Sequence, residues 1–120
     1  MGYRSDVGLC LTKTGVEKLH TRLAALEPKE KKTQDITSLL TSYCDRHEEN
    51  ESGARVWFWG NVKWYWDYHD VDFVEDVIRG LDDEDYYFIR VGEQNDDTEV
   101  RGGFFDNPFC MSLVRCIAFD

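Results

Sequence analysis

Three histidines and a dense set of carboxylates are the side chains of this sequence that could transfer protons. His20 and His47 are isolated, whereas His69 lies between Asp67 and Asp70. A histidine near a carboxylate can act as a general acid or base, but neighbouring positions alone do not specify proton transfer. No serine or cysteine occurs in a G-x-S-x-G or comparable nucleophile motif. We therefore predict no catalytic residues, and an enzyme is the less favoured class.

Cysteines and carboxylates could also bind a metal ion. Four cysteines are widely spaced, without a C-x-x-C pair: Cys10, Cys44, Cys110 and Cys116. This spacing is typical of neither a disulfide framework nor a zinc site, so we expect reduced, mostly buried thiols. The carboxylate runs 82–85 and 96–97 lack the alternating aspartates of a calcium loop. We predict no metal ion and no other cofactor.

The negative charge of the chain is concentrated in one segment. Residues 66–99 hold thirteen carboxylates and two arginines, a net charge of −11, so the rest of the chain carries +1 and the total is −10. Such a field repels nucleic acid and anionic membranes and favours association with basic protein surfaces. The alternative is a solvated acidic face that only keeps the protein soluble.

Aromatic residues cluster immediately before this acidic segment. Six of them surround a Gly60-Asn61 pair: Trp57, Phe58, Trp59, Trp64, Tyr65 and Trp66. In a strand, Val56 and Phe58 would share one face, with Trp57 and Trp59 on the other. Because both faces are apolar, we expect a sheet that is covered on both sides. The alternative is that exposed tryptophans form a binding surface.

The length and composition indicate one globular domain, residues 1–120. The chain has 120 residues, of which 42% are hydrophobic and 14% aromatic, enough to form a core. Residues 1–6 lack the basic and apolar parts of a secretory signal, and no run of eighteen apolar residues occurs. We therefore expect a cytoplasmic protein that does not bind membranes.

Hydrophobic periodicity predicts both strands and helices. Residues 3–11 alternate as a strand, and residues 86–91 form a dense aromatic and β-branched strand. Capping residues predict three amphipathic helices, which begin at Thr14, Asp35 and Asp72.

The remaining segments complete the order β-α-α-β-β-α-β-β-β. Residues 46–53 are polar throughout and are predicted to be a loop, followed by a hairpin or two strands over 55–65. A return strand over 98–103 and a last strand over 111–119 follow. This order predicts an α+β fold in which helices pack on one face of a mainly antiparallel sheet. A ferredoxin-like core with an added hairpin satisfies the same order.

Motifs near both ends of the chain are shared with a known group of proteins. They are MGYRSDV at 1–7, VDF at 71–73, DTEVRGGF at 97–104 and DNPF at 106–109. The chain resembles small phage and prophage proteins of uncharacterised function over most of its length, and least over residues 28–52. This resemblance implies a phage or prophage origin and action in the cytoplasm of a bacterial host. It implies no activity and no site residues.

Charge and aromatic content together favour a non-enzymatic accessory protein that binds a host or defence protein with a basic surface. Negative charge would accelerate the encounter, and aromatic side chains would supply binding energy. A more specific form is nucleic-acid mimicry, with carboxylates in place of phosphates and no direct binding of nucleic acid. The candidate binding residues are Trp57, Trp59, Trp64, Trp66, Asp67, Asp70, Asp82, Asp83, Asp85, Asp96 and Asp97.

Two alternatives from other classes remain open at this point. One is a small metal-dependent enzyme, in which aspartate and histidine side chains converge from residues 67–70 and the turn at Asp82. The other is a homo-oligomer whose tryptophan face is its own interface. Convergent carboxylates in one pocket would favour the enzyme, and an exposed tryptophan in a monomer would argue against the homo-oligomer.

Overall fold

Five antiparallel strands and three α-helices make up the described part of the chain. In the computed structural model, residues 2–94 and 96–114 are described. The elements in chain order are β1 (Ser5–Leu11), α1 (Lys13–Ala24), α2 (Lys31–Leu40), β2 (Arg46–Glu49), β3 (Arg55–Val62), α3 (His69–Arg79), a 3-10 turn (Asp83–Asp85), β4 (Tyr86–Gly92) and β5 (Thr98–Gly102).

The strands are arranged in the order β2-β3-β1-β4-β5, and every neighbouring pair is antiparallel. The first four strands have the order of the ferredoxin-like arrangement, in which β1 lies between β3 and β4. β5 pairs with β4 as an added edge strand. The predicted α+β fold with a mainly antiparallel sheet is therefore confirmed.

All three helices pack on one face of the sheet, as the sequence predicts. The strands contribute alternate side chains to this core: Val7, Leu9, Leu11, Trp57, Trp59 and Phe88. The helices contribute the apolar residues of their inner stripes: Val16, Leu19, Ile36, Leu39, Val74 and Ile78. Each fully buried large apolar side chain stabilises the fold by about 1.5–3 kcal/mol, so this layer is the main source of stability. Among the residues described, no helix is long and apolar enough to span a membrane.

The opposite face of the sheet is covered by the segment that follows β5. Cys10, Val56, Tyr87 and Ile89 form a second cluster, against which four residues of this segment pack: Phe104, Phe109, Met111 and Leu113. The sheet is therefore covered on both sides, as expected from the alternation in β3. Residues 111–114 are not part of a strand, and the rest of the predicted last strand lies outside the described residues.

Three predicted helix starts are wrong: α1 is capped by a nearby threonine, and α2 and α3 begin without a side-chain cap, so capping residues do not mark their starts. The cap of α1 is Thr12, whose hydroxyl accepts from the Gly15 N–H, and not Thr14. α2 begins before Asp35, whose side chain instead contacts Lys31 and His69. α3 begins at His69, three residues before Asp72.

The predicted loop over 46–53 contains an edge strand. β2 pairs with β3 through four exposed polar residues, 46–49, so hydrophobic alternation gives no indication of it. β3 continues as one strand through Gly60-Asn61, and the hairpin turn lies earlier, near Asn50. Asn61 has a φ of 56°, which asparagine tolerates better than most residues.

A candidate protein-binding surface at the β3–α3 loop

Trp57 and Trp59, two of the predicted binding residues, lie in the core and not on the surface. Each is 1% exposed. The indole N–H of Trp57 donates to the carbonyl of Leu40 at 3.0 Å, and that of Trp59 donates to Leu39 at 2.8 Å. The last carbonyls of a helix have no partner within the helix, so the two indoles satisfy the end of α2. Both residues therefore stabilise the fold.

The loop between β3 and α3 divides the next two tryptophans between core and solvent. Trp64 turns inward, with its ring centroid 5.1 Å from that of Trp59 and 6.2 Å from that of Phe88. Trp66 is 80% exposed, the most exposed large apolar side chain among the described residues. Of the four predicted tryptophans, Trp66 alone is a largely exposed side chain.

Glu75 on α3 ties this loop to the sheet. It accepts the indole N–H of Trp64 at 2.9 Å and two hydrogen bonds from one nitrogen of Arg101, at 2.6 and 2.9 Å. The Arg101 guanidinium also lies over the Phe88 ring, 4.3 Å from its centroid, in cation–π geometry. The Glu75 side chain is only 14% exposed, so it is a nearly buried carboxylate with two donor residues.

The contacts continue from Arg101 across β4 and β5. Its Nε lies 2.8 Å from Glu99 Oε2, although the N–H is not aligned for a hydrogen bond. Arg90 donates to Glu99 Oε1 at 3.1 Å and forms a bidentate pair with Asp97 at 2.8 and 3.1 Å. Tyr3 donates its hydroxyl to Asp97, while its own N–H donates to the hydroxyl of Tyr65 at 2.7 Å.

These contacts form a closed ring, because Trp64 and Tyr65 are adjacent in the loop. We call the set the polar ring: Tyr3, Trp64, Tyr65, Glu75, Arg90, Asp97, Glu99 and Arg101. The guanidinium of Arg90, and then the Tyr3 hydroxyl, lower the pKa of Asp97 to about 2. The hydrogen bond to Asp97 raises the pKa of Tyr3 in turn. Asp97, predicted as a binding residue, therefore has its carboxylate engaged within the protein.

Ion pairing separates the thirteen carboxylates of the acidic segment into two groups. Five of them form ion pairs with arginines: Asp72, Glu75, Asp76, Asp97 and Glu99. Within the described residues, the other eight form no ion pair: Asp67, Asp70, Asp82, Asp83, Glu84, Asp85, Glu93 and Asp96. The charge available to a partner is therefore smaller than the composition indicates.

The unpaired carboxylates do not converge. Asp82 and Asp83 lie at the start of β4, whereas Asp96 lies beyond its end, and seven strand residues span roughly 20 Å. Asp67 and Asp70 lie at the start of α3, whereas Asp82 follows its end, and eleven helical residues span roughly 16 Å. The metal-dependent enzyme requires residues 67–70 and the turn at Asp82 to converge. The structure keeps them apart. In the described ranges, no cluster of three or more histidine, cysteine, aspartate or glutamate residues is arranged to hold a metal ion.

An open cleft of about 450 Å³ lies beside the loop, between the end of α2 and the start of α3. Its walls include two tyrosines with exposed rings, Tyr43 and Tyr68, and its lining includes Trp59 and Val62. Asp70 also lines the cleft, and one of its oxygens accepts the Val71 N–H at the start of α3. The cleft thus combines apolar contact area with two carboxylates, Asp45 and Asp70, and two cations, Arg4 and Lys63.

Comparisons with protein families, curated proteins and solved structures find no match to this chain. Its function is therefore inferred from the chemistry of this surface alone. We define the Trp66 surface as Tyr43, Trp66, Asp67, Tyr68 and Asp70. It brings together three of the predicted binding residues, Trp66, Asp67 and Asp70, and places Asp82, Asp83, Asp85 and Asp96 elsewhere.

Sequence patterns missed two residues of this surface. Tyr43 follows Leu39 by four residues, the spacing of an apolar helix face, but α2 ends at Leu40 and leaves the tyrosine 71% exposed. Tyr68 lies among the aromatic and acidic residues of the loop, and its exposure follows from the position of the α3 start. The end of α2 at Leu40 and the start of α3 at His69, three residues before the predicted start, are both boundary effects that periodicity does not resolve.

Proposed function

We propose that this chain is a non-enzymatic binding protein of phage or prophage origin. It engages a host or defence protein with a basic surface, inside the bacterial cytoplasm, through the Trp66 surface. The observation that supports this most is the exposure of Trp66 on a loop in which Trp64 and Tyr65, before it, and Tyr68, after it, form hydrogen bonds. The phage origin is supported by the sequence resemblance alone.

An exposed tryptophan beside unpaired carboxylates is the pattern of an interface anchor. Trp66 exposes a large apolar area to water. Tryptophans of this kind commonly contribute roughly 2 kcal/mol or more of binding free energy when they are buried in an interface. Asp67 follows it directly and Asp70 lies four residues later, and neither forms an ion pair in the described part of the chain. Their charge would accelerate encounter with a basic partner and orient it over Trp66.

Nucleic-acid mimicry is the more specific form of this proposal. Asp82, Asp83, Asp85 and Asp96 carry charge without an arginine partner among the described residues, at the two ends of β4. They would stand in place of phosphates if a partner spans both ends. In that case binding depends on these residues as well as on Asp67 and Asp70.

The test is capture of partners from a bacterial lysate by the tagged protein at low and at high salt. We expect a basic protein that is released by salt and is lost when Asp67→Asn and Asp70→Asn are combined. The control combines Glu17→Gln with Glu27→Gln, which removes two charges from exposed residues outside the acidic segment. Equal recovery by both double variants would contradict the proposal.

Self-association is the outcome to exclude in the same experiment. An exposed Trp66 could also contact a second copy of the chain, so the molar mass is measured by light scattering at the concentration used for capture. A monomer supports the proposed function. A dimer that Trp66→Ala dissociates would instead favour the homo-oligomer.

A further inference from the structure

We infer that Glu75 and Arg101 are positioning residues that hold Trp66 in its exposed orientation. Both belong to the polar ring, which begins and ends in the loop that carries Trp66. The inference deepens the proposed function and rests on it for the role of Trp66 in binding. Neither residue contacts a partner in this account, and each acts through Trp64.

The polar ring fixes the two residues that directly precede Trp66. The Trp64 indole is held by Glu75 at 2.9 Å, and the Tyr65 hydroxyl is held by the N–H of Tyr3 at 2.7 Å. On the other side, the Tyr68 N–H donates to the Tyr65 carbonyl at 3.0 Å, and the two rings lie 5.2 Å apart. Trp66 therefore sits on a short turn in which Trp64, Tyr65 and Tyr68 form hydrogen bonds.

Burial explains why Glu75 keeps its position. A nearly buried carboxylate is costly unless its oxygens accept hydrogen bonds and its charge is paired, and Arg101 and Trp64 supply both. Arg101 is in turn held over Phe88, which is fully buried in the core. The Glu75–Arg101 pair, whose residues are 26 positions apart in sequence, thus connects the loop to the core of the sheet.

This role differs from a general contribution to stability, because loss of the contact should disorder the loop while the sheet stays folded. A loop that is ordered before binding loses less conformational entropy when a partner is bound. Removing Glu75 should therefore free Trp64 and Trp66 while Trp57 and Trp59 keep their hydrogen bonds to α2. The four tryptophans report on these two regions separately.

The test is fluorine NMR of the full chain labelled with 5-fluorotryptophan, with resonances assigned by single Trp→Phe variants. In Glu75→Ala we expect the Trp64 and Trp66 resonances to shift or broaden, and those of Trp57 and Trp59 to remain. The control is Asp76→Asn, an exposed neighbour on α3 that pairs with Arg22, and it should move none of the four. A Trp66 resonance that is unchanged while Trp64 moves would overturn the inference.

Two milder variants keep the test decisive if Glu75→Ala does not fold. Arg101→Lys keeps the charge but not the planar fork of donors, and Tyr65→Phe removes the acceptor of the Tyr3 N–H. Each variant should shift or broaden the Trp66 resonance, and an unchanged Trp66 resonance in both variants would overturn the inference.

These spectra need no partner, so failure of the proposed binding function would be detected independently. With a captured partner, Glu75→Ala should weaken binding about ten-fold, the cost of ordering one or two side chains.

Discussion

The indole N–H of Trp64 donates to Glu75 Oε2 across 2.9 Å, and this bond holds Trp64 on the inner side of the loop that carries Trp66. It joins the loop after β3 to α3, the helix that the loop precedes. With Trp64 held against Phe88 in the core, Trp66 two residues later points away from the protein. A core contact thereby produces an exposed aromatic group on an ordered loop, which is the central feature of the proposed binding surface.

Replacing Trp59 by phenylalanine should destabilise the fold without affecting the surface. The ring is retained in part, but the Leu39 carbonyl loses its donor in a buried position. An unsatisfied buried polar group costs about 1–3 kcal/mol, and this loss is measured by urea unfolding. Trp66→Phe is the matched control and should change the free energy of unfolding by less than about 0.5 kcal/mol. Equal effects of the two substitutions would mean that Trp59 is not held as described.

Gly102→Ala should be strongly destabilising. Gly102 has a φ of 89°, and a Cβ atom there would lie 2.2 Å from the Tyr86 carbonyl oxygen, a backbone atom that cannot move aside freely. We expect a loss of roughly 2–4 kcal/mol from backbone strain and steric overlap together. Gly80→Ala is the control, since its Cβ would lie 3.6 Å from the nearest atom, in ordinary contact. Thermal unfolding of both variants measures the difference, and similar melting temperatures would contradict it.

The pair between Arg90 and Asp97 should make stability depend on acid pH. Asp97 has a pKa of about 2 in the folded protein, below its usual value of 3.8. A lowered pKa means that the unfolded chain binds the proton more tightly, so stability is full above about pH 4 and falls as the pH drops toward 2. Asp97→Asn should flatten the stability profile in that window. The control is Asp96→Asn, since Asp96 is an exposed neighbour without an ion pair among the described residues, and it should leave the dependence of the unfolding free energy on pH unchanged. The same pH dependence in both variants would contradict the role of the Arg90–Asp97 pair.

Alkylation of the native protein should distinguish Cys10 from Cys110. Cys10 is fully buried beneath Met111, and burial raises the pKa of its thiol to about 12, so little thiolate is present at neutral pH. Cys110 is exposed. Iodoacetamide followed by peptide mass spectrometry should show rapid modification of Cys110 and protection of Cys10. Equally fast modification of both would mean that residues 104–114 do not cover this face of the sheet.

Much of the fold could be predicted because strand alternation and helical stripes reflect burial directly. β1, β4 and β5 lie within one or two residues of their predicted ranges. β2 could not be found, since its four residues are exposed and its strand geometry comes from pairing with β3. Helix starts were misplaced where several capping residues compete, as at Thr12 and Thr14.

Less of the candidate site could be predicted from the sequence. Trp57 and Trp59 could be assigned to one face of a strand, and Trp64 and Trp66 share the same spacing. What separates the second pair is the Trp64–Glu75 bond, and Glu75 is itself held by a residue 26 positions later. Such tertiary contacts leave no periodic pattern, so the exposure of Trp66 follows only from the folded chain.

The most direct test of the proposed binding function is the affinity of the captured partner for Trp66→Ala, compared with Phe105→Ala. Phe105 is a matched control, because it is an aromatic residue that is 70% exposed outside the Trp66 surface. Trp66→Ala should unfold like the parent protein, whereas Phe105→Ala loses an edge-to-face contact with Tyr87 worth roughly 0.5–1.5 kcal/mol, so both affinities are measured where each variant is folded. The Trp66 surface predicts a loss of about 2 kcal/mol or more of binding free energy for Trp66→Ala and little change for Phe105→Ala. Unchanged affinity for Trp66→Ala would contradict the proposal.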